Sequence, residues 1–374
     1  MTEYMMTING QKLAFTSGQT ILEAAEENQI PIPTLCYLKG ASPTGRCGIC
    51  VVEIDGRDEL VLSCSTIADS SMKVKTESKK VIKQRKTILA KLLSSGNHNC
   101  AISGSGGKEW SDFQLKVNQA DGAQELCPAW GDCRLQELAY QYQVDIDPCT
   151  QDWSSDPMEL KNPLIVRDFS RCIQCGRCVK ACNEMQVNLA INLDESRGKV
   201  VTEGDKALID SKCVFCGECV QACPVGALVE KKARYIWRPW KTEKIRTTCP
   251  YCGVGCQQML HVQDGKIVKV TGVEHAEPNK GRLCVKGRFG YDFIYSKERL
   301  TTPLVKENGE FREASWDETL NLVADKFTEI IEKHGPDALA GVSCARSINE
   351  DSYQMQKLFR AVFKTNNIDH CART

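Results

Sequence analysis

Cysteine groups constrain this chain more than any other feature of its sequence. Of the 22 cysteines in 374 residues, all but Cys149, Cys344 and Cys371 fall into five groups with short, regular internal spacings. In chain order the groups are Cys36/Cys47/Cys50/Cys64, Cys100/Cys127/Cys133 with His98 before them, Cys172/Cys175/Cys178/Cys182, Cys213/Cys216/Cys219/Cys223 and Cys249/Cys252/Cys256/Cys284. Thiolates are soft ligands that select iron–sulfur clusters, zinc or copper(I). Five such groups predict a protein that moves electrons over a distance.

Charge and hydropathy disfavour several other classes of protein. Lys+Arg and Asp+Glu both total 48, so the chain has no net field for nucleic acid or an anionic membrane. Residues 231–246 are basic with interleaved aromatic residues, as in a nucleic-acid-binding strip, but the neutral total charge favours a linker. The sequence has no apolar run long enough to predict a membrane span, and its first residues lack the pattern of a secretory signal. We expect a cytoplasmic protein, in which dense cysteine indicates metal or redox chemistry rather than disulfides.

Hydrophobic patterning predicts an α+β chain of several domains. A β-rich domain begins with a hairpin at Asn9-Gly10, and a helical segment carrying His98 and the second cysteine group follows. The four-cysteine spacing then occurs twice, with Cys172 and Cys213 as the first residues of the two runs. After Ser315 a β-α-β succession predicts a parallel sheet. The predicted domains are residues 1–78, 79–150, 160–232 and 245–374.

The spacings within the groups indicate the type of cluster. The first group offers four thiolates, which suit a [2Fe–2S] centre, and its one long gap makes the alternative, zinc, a poor fit. The third and fourth groups are Cys-x2-Cys-x2-Cys-x3-Cys runs, in which the fourth cysteine of each run ligates the cluster of the other run. The predicted ligand sets are Cys172, Cys175, Cys178 and Cys223 for one [4Fe–4S] cluster and Cys213, Cys216, Cys219 and Cys182 for the other.

The first group also resembles the first iron–sulfur domain of the NADH dehydrogenase large subunit and of iron-only hydrogenases. That resemblance implies a β-grasp fold and a second site, a [4Fe–4S] cluster held by His-x3-Cys-x2-Cys-x5-Cys. The pair Cys127-x5-Cys133 fits this pattern, whereas His98 stands only two positions before Cys100. A surface histidine remains the alternative for His98.

The fifth group is similar to the cluster motif of the molybdopterin oxidoreductases. Cys284-Val285-Lys286-Gly287 matches that motif, including the lysine placed between cluster and pterin. The resemblance implies a [4Fe–4S] cluster beside a molybdenum or tungsten bis(molybdopterin guanine dinucleotide) cofactor in the full-length protein, with Lys286 as electron relay. Residues 343–350 and 366–373 are similar to segments before that family's metal ligand, which implies pterin contacts from Arg346, Asn349 and Glu350.

The order of the domains resembles that of the catalytic subunit of NAD-linked or bifurcating formate dehydrogenases. It is a [2Fe–2S] domain, a His/Cys cluster, a two-cluster ferredoxin and a molybdopterin domain. The resemblance implies one [2Fe–2S] and four [4Fe–4S] clusters, reversible oxidation of formate to CO2, and a separate electron partner. That partner would be a flavin- and NAD-binding diaphorase, a ferredoxin or a hydrogenase subunit. The resemblance also implies that electrons pass from the ferredoxin pair through the His98 cluster to the [2Fe–2S] centre. The alternatives are an iron-only hydrogenase, a NADH dehydrogenase large subunit and a stand-alone iron–sulfur electron carrier.

The last residues also match the family segment that precedes its metal ligand, which is selenocysteine in many members. We therefore expect a UGA codon after Thr374, then a His codon and a long reading frame. These 374 residues alone are expected to lack formate activity. A UAA or UAG codon would favour the stand-alone electron carrier.

Overall fold

The computed structural model describes residues 4–98, 127–144 and 156–371 of the chain. It divides into two compact units, Met1–Glu243 with Val262–Lys269, and Lys244–His261 with Val270–Thr374. Cys100, Cys149 and the Gly/Ser-rich stretch after Cys100 lie outside the described residues. None of the described helices has the length and apolar content needed to cross a bilayer.

The first unit begins with a five-stranded mixed sheet and one helix. Its elements are β1 (Tyr4–Ile8), β2 (Gln11–Phe15), α1 (Ile21–Glu27), β3 (Val51–Ile54), β4 (Val61–Leu62) and β5 (Lys73–Lys75). The strand order is β2-β1-β5-β3-β4, with β1 antiparallel to β2 and parallel to β5. Asn9 and Gly10 both have positive φ, 51° and 85°, as the predicted two-residue hairpin requires.

Helix α1 is held against this sheet by its cap and its apolar face. The Thr20 hydroxyl accepts a hydrogen bond from Glu23 N, and the Glu23 carboxylate accepts one from Thr20 N. Ile21 and Leu22 are fully buried in one core with residues of the sheet. Cys50 belongs to the same core, so a cysteine of the first group lies in the buried interior of the domain.

A two-helix segment follows and forms a second core. Ser78 caps α2 (Lys79–Leu93). The apolar spacing predicts a second helix over residues 134–143, and α3 (Arg134–Gln141) ends two residues earlier. Leu89 of α2 and Leu138 of α3 are both fully buried there. This core also takes in cysteines of three groups, so the first, second and third groups share one apolar interior: Cys36, Cys47, Cys127, Cys133 and Cys175.

The repeat in the sequence appears as a repeat in the backbone. Its elements are β6 (Ile165–Arg167), α4 (Arg177–Lys180), β7 (Asn192–Asp194), β8 (Lys199–Val201), α5 (Glu218–Ala222) and β9 (Leu228–Glu230), with β6 antiparallel to β9 and β7 antiparallel to β8. Gly176 and Gly217, equivalent in the two halves, have left-handed φ of 78° and 73° just before α4 and α5. The halves differ after their helices. Pro224 follows the second run, whereas Asn183, in the equivalent position of the first run, lies in a π-helical turn over Ala181–Met185.

The remaining elements begin with a three-stranded sheet. They are β10 (Glu243–Thr248), β11 (Gln257–Gln263), β12 (Lys266–Gly272), α6 (Val285–Phe289), β13 (Leu304–Glu307), β14 (Glu310–Glu313), α7 (Trp316–His334), β15 (Gly341–Ser343), α8 (Asn349–Lys357) and β16 (Ile368–His370). The sheet order is β10-β11-β12, and β15 pairs with β16 in parallel, as predicted. The predicted C-terminal end of α8 is wrong. The pattern predicts one helix over Asp351–Phe363, but α8 ends at Lys357 and Leu358–Phe363 is π-helical.

Candidate metal centres

Three cysteines of the first group, Cys36, Cys47 and Cys50, lie on the loop that enters β3, and Cys64 follows β4. Backbone N–H groups of Arg46 and Cys47 and the Thr44 hydroxyl hydrogen-bond the Cys36 sulfur. Gly45 and Gly48, both with positive φ, make the turns that aim these groups inward. Donors directed at a sulfur tune the potential of a cluster bound there.

The four thiols of this group form two contacting pairs, Cys36 with Cys47 and Cys50 with Cys64. The Cys47 thiol lowers the pKa of Cys36 to about 5, and the Cys64 thiol lowers that of Cys50 to about 7, both against the opposing effect of burial. One sulfur of each pair is thus favoured as thiolate and the other as thiol. Two pairs of sulfurs match the two irons of a [2Fe–2S] centre, each of which takes two protein ligands.

His98 of the second group has the properties of a metal ligand. The side chain is 6% exposed, and within the described residues its Nε2 has no hydrogen-bond partner. Burial, followed by the charge of Arg171, lowers the pKa of His98 to about 4. The ring is therefore neutral near pH 7, and a neutral imidazole nitrogen is the form that binds metals.

Two buried arginines surround Cys127 of the same group. Arg171 donates Nη1–H to the Cys127 sulfur at 3.4 Å and also to the carbonyl of Asn97, which precedes His98, at 2.9 Å. Arg238 donates to the Cys127 carbonyl at 3.3 Å. Neither arginine is predicted from the sequence as part of a site. No local signal marks these contacts, because the partners of Arg171 and Arg238 lie 44 to 111 positions away in the sequence.

The third and fourth groups are interleaved. Cys172, Cys175, Cys178 and Cys223 line one apolar cavity of about 40 Å³, which Cys219 also lines. Burial raises the pKa of Cys172 to about 11 and that of Cys175 to about 12, with Cys223 adding to both shifts. Cys213, in contrast, interacts with Cys216 and with Cys182 of the first run. The fourth cysteine of each run thus lies beside cysteines of the other run. A bound metal ion would lower the pKa of these thiols, because cysteines bind metals as thiolates.

The fifth group lies in the second unit, on the loop before β11 and at the start of α6. Burial raises the pKa of Cys249 and Cys256, and in each case Cys252 and Cys284 add to the shift, so the four thiols share one electrostatic environment. The Cys249 N–H donates to the Cys256 carbonyl at 2.8 Å and closes the loop. Cys284 is the exposed member of the group.

The predicted pterin-binding residues lie near this loop or farther along the same unit. Lys286 is on α6, with its Nζ 5.8 Å from the centre of the Tyr251 ring. Asn349 donates its side-chain N–H to the Gly253 carbonyl at 2.8 Å, so it contacts the cysteine loop. Arg346 and Glu350 are both exposed.

The donor sets have the chemistry that iron–sulfur clusters need. Among the described residues, no three or more His, Cys, Asp or Glu side chains converge on one point as the ligands of a single ion do. A cluster of irons and sulfides fills the space between its thiolates, so its ligands stand farther apart. Sulfur-rich, buried and internally paired groups are the chemistry that such clusters need.

Family models match four segments of the chain. They are the 2Fe-2S iron-sulfur cluster binding domain at residues 3–79, the 4Fe-4S dicluster domain at 171–227, the molybdopterin oxidoreductase Fe4S4 domain at 242–296 and molybdopterin oxidoreductase at 299–374. These matches support [2Fe–2S] and [4Fe–4S] clusters and a molybdopterin cofactor as the prosthetic groups.

Curated relatives carry one recurring name. Proteins of Staphylococcus aureus strains USA300, NCTC 8325 and MRSA252, each named "Putative formate dehydrogenase", are 34% identical to this chain over 414 aligned residues. The alignment covers all of this chain and 39% of each relative. The chain therefore spans well under half the length of the curated relatives that it matches.

A solved structure is similar to part of the chain. It is a chain of an NAD+-reducing [NiFe]-hydrogenase in the H2-reduced state, 28% identical, with a TM-score of 0.51. The match covers 63% of this chain and 90% of that one. Residues 242–296 and 299–374 thus match molybdopterin oxidoreductase models, and the 2Fe-2S and 4Fe-4S dicluster models match the residues before them.

Proposed function

We propose that this chain is the iron–sulfur and first molybdopterin part of a formate dehydrogenase that oxidises formate to CO2 reversibly. The observation that carries the proposal is the alignment of the whole chain, at 34% identity, with relatives named as formate dehydrogenases. The five cysteine groups add the means to carry electrons away. A molybdenum or tungsten bis-pterin cofactor, when bound, supplies the two-electron chemistry at formate.

The proposed cluster ligands are the sets named in the sequence analysis. One [2Fe–2S] centre uses the first group. Of the four [4Fe–4S] clusters, one uses His98 with the second group, two use the crossed ferredoxin sets, and one uses the fifth group. Cys100 is the first cysteine of the second group. Lys286 is the proposed relay between the fifth cluster and the pterin, because an ammonium group there stabilises added negative charge. Arg346, Asn349 and Glu350 are the proposed pterin contacts.

Contacts inside the first unit favour a direct electron step between the [2Fe–2S] site and the first ferredoxin run. The Thr44 hydroxyl lies within hydrogen-bond distance of both the Cys36 sulfur and the Cys175 carbonyl, which is 3.3 Å away, so it links the two sites. The adjacent Arg46 makes two hydrogen bonds to the Glu195 carboxylate, at 2.6 and 2.9 Å. This differs from the order implied by the resemblance, in which electrons pass from the ferredoxin pair through the His98 cluster to the [2Fe–2S] centre.

The proposed partner is a separate subunit docked near residues 1–140 in the cytoplasm. The chain carries no convincing dinucleotide fingerprint in its sequence, and the similar hydrogenase is named for reducing NAD+. A flavin- and NAD-binding diaphorase is favoured over ferredoxin or hydrogenase subunits. The measurement is co-purification of the subunit with the tagged protein. A preparation containing only this polypeptide and fully active with NAD would contradict it.

Formate turnover separates the proposal from its rivals. We expect the whole gene product to reduce a dye in the presence of formate and not in the presence of hydrogen. Under the alternatives, an iron-only hydrogenase would take up hydrogen, and a stand-alone electron carrier would use neither substrate. The assay compares the two substrates in one anaerobic preparation with known iron content. Hydrogen uptake without formate turnover would refute the proposal.

Replacing His98 by cysteine tests its assignment as a ligand. An anionic thiolate in place of a neutral imidazole lowers cluster potentials, so we expect one [4Fe–4S] midpoint to become more negative by on the order of 100 mV. The measurement is a redox titration followed by electron paramagnetic resonance. His334, at the end of the exposed helix α7, is the matched control, and H334C is expected to leave all midpoints unchanged. Unchanged midpoints in H98C would show that His98 is not a ligand.

A further inference from the structure

Two cysteines outside the five groups lie side by side on the parallel sheet of the second unit. Strands β15 and β16 pair with Ser343 opposite His370, so Cys344 and Cys371 are the next residues in step. Their sulfur atoms are 3.7 Å apart. Neighbouring strands lie about 4.8 Å apart, which is inside the range of about 4.4–6.8 Å between the Cα atoms of a disulfide. The pair therefore needs only a small side-chain movement to form an S–S bond.

The surroundings of the pair favour a reactive thiolate. Cys371 is exposed and Cys344 is half-buried. The Ala345 backbone N–H, then the Cys344 thiol and the positive charge of Arg346, lower the pKa of Cys371. The Arg346 backbone N–H in turn donates to the Cys344 sulfur at 3.3 Å. Thiolate is the form of cysteine that attacks disulfides, so the exposed member of the pair is the better nucleophile.

A metal site is the main competing reading of two adjacent thiols. Zinc in structural sites takes four protein ligands. Among the described residues, no third His, Cys, Asp or Glu joins the two cysteines in a group that could hold an ion. Two thiols supply only half of such a zinc site, whereas their 3.7 Å separation suits sulfur–sulfur chemistry.

We propose that Cys344 and Cys371 are a redox-active dithiol that takes low-molecular-weight disulfides, such as oxidised glutathione, as its oxidant. The Cys371 thiolate attacks one sulfur of the disulfide, breaks its S–S bond and releases one thiolate, which leaves a mixed disulfide on Cys371. The Cys344 thiol then loses its proton and attacks the Cys371 sulfur, which releases the second small thiol. The protein loses two electrons and two protons, and one molecule of disulfide becomes two thiols.

The product would link the ends of β15 and β16 and enclose α8 within a closed loop. Neither cysteine is among the proposed cluster ligands or pterin contacts, although Arg346 beside them is a proposed pterin contact. The thiol chemistry itself needs no formate and no pterin. Failure of one proposal therefore leaves the other standing.

The test is a peptide map of the cluster-loaded chain after anaerobic incubation with oxidised glutathione. Free thiols are alkylated and the chain is digested with trypsin, which places Cys344 in peptide 334–346 and Cys371 in peptide 365–373. We expect these two peptides to appear as one disulfide-linked species that dithiothreitol separates, with the iron content unchanged. Separate, fully alkylated peptides at a 100-fold excess of the disulfide would overturn the proposal.

Two single variants test the order of the steps. Cys344→Ser is expected to accumulate a glutathione adduct on Cys371, because the second attack is lost. Cys371→Ser is expected to carry no adduct on the half-buried Cys344. Cys149→Ser, at the third cysteine outside the groups, is the control and should keep the linked species. A stable adduct on Cys371 in the unaltered chain would contradict the short sulfur–sulfur distance and overturn the proposal.

Discussion

Cys223→Ser is expected to remove the cluster of the first ferredoxin run, although Cys223 belongs to the second run in sequence. Cys223 lines the same cavity as Cys172 and Cys178, and no other sulfur of its own run apart from Cys219 lines that cavity. A serine hydroxyl is a much harder ligand than a thiolate, so the cube loses one of its four corners. We expect about four fewer irons per chain and the loss of one [4Fe–4S] signal.

Double variants identify which cluster is lost. Cys172→Ser with Cys223→Ser should lose the same iron, about four atoms, as either single variant, because both residues serve one cluster. Cys213→Ser with Cys223→Ser should lose about eight, because those residues serve two clusters. Iron and sulfide analysis with paramagnetic resonance measures both, and Cys149→Ser is the control. The opposite pattern, with eight lost in the first pair and four in the second, would mean that the runs do not cross.

The cysteine groups could be predicted from the sequence because short spacings along the chain are also short distances in space. Thr20, Ser78 and Ser315 could likewise be identified as helix caps, since each acts on backbone within three residues of itself. The hairpin at Asn9-Gly10 depends in the same way on two adjacent residues. Local determinants of this kind are visible in a single sequence.

The buried arginines could not be predicted, because arginine in a sequence usually indicates surface. Arg238 lies among basic and aromatic residues that suggested a linker, yet it is 3% exposed and bonds the Pro128 carbonyl, 110 positions away. Trp240 of the same segment packs on Gly131, where any side chain would collide with the ring. Partners so distant in sequence leave no local pattern. The contact of Arg46 with Glu195, 149 positions apart, was hidden for the same reason.

The helix boundary after α8 shows a different limit. Apolar spacing continues from Asp351 to Phe363, so it predicts one helix. The helix nevertheless widens into a π-helical turn at Leu358. It ends at Lys364, which has a left-handed φ of 62°. No proline or glycine lies in this segment to mark the change. Periodicity identifies the face of a helix, but it does not report how tightly each turn is wound.

Arg85→Ala is expected to loosen the [2Fe–2S] domain around Cys50. The Arg85 side chain is fully buried, and its guanidinium donates to the carbonyls of Ile49 at 3.2 Å and of Val51 at 2.8 Å. These carbonyls flank Cys50, so the arginine on α2 holds the backbone of a proposed ligand. It also donates to the Tyr142 hydroxyl at 2.7 Å, after the end of α3.

Removing the guanidinium leaves two buried carbonyls without this donor and creates a cavity. Each unsatisfied group costs about 1–3 kcal/mol, and we expect a total loss of about 4 kcal/mol in the local free energy of opening. The ion pair with Glu77 adds little, because that carboxylate is half-exposed. Arg85→Lys keeps the charge but not the planar set of N–H donors. We therefore expect about half of this loss in the free energy of opening.

Hydrogen exchange measured by mass spectrometry is the suitable readout, because a chain with several clusters does not unfold in one step. A loss of about 4 kcal/mol corresponds to roughly thousandfold faster exchange in the amides of Val51–Ile54. Lys83→Ala, an exposed change on the same helix, is the matched control and should leave exchange unaltered. The [2Fe–2S] signal should also decay faster in Arg85→Ala, because the loop that carries Cys47 and Cys50 opens more often. Exchange equal to that of the control would mean that these hydrogen bonds do not hold the strand.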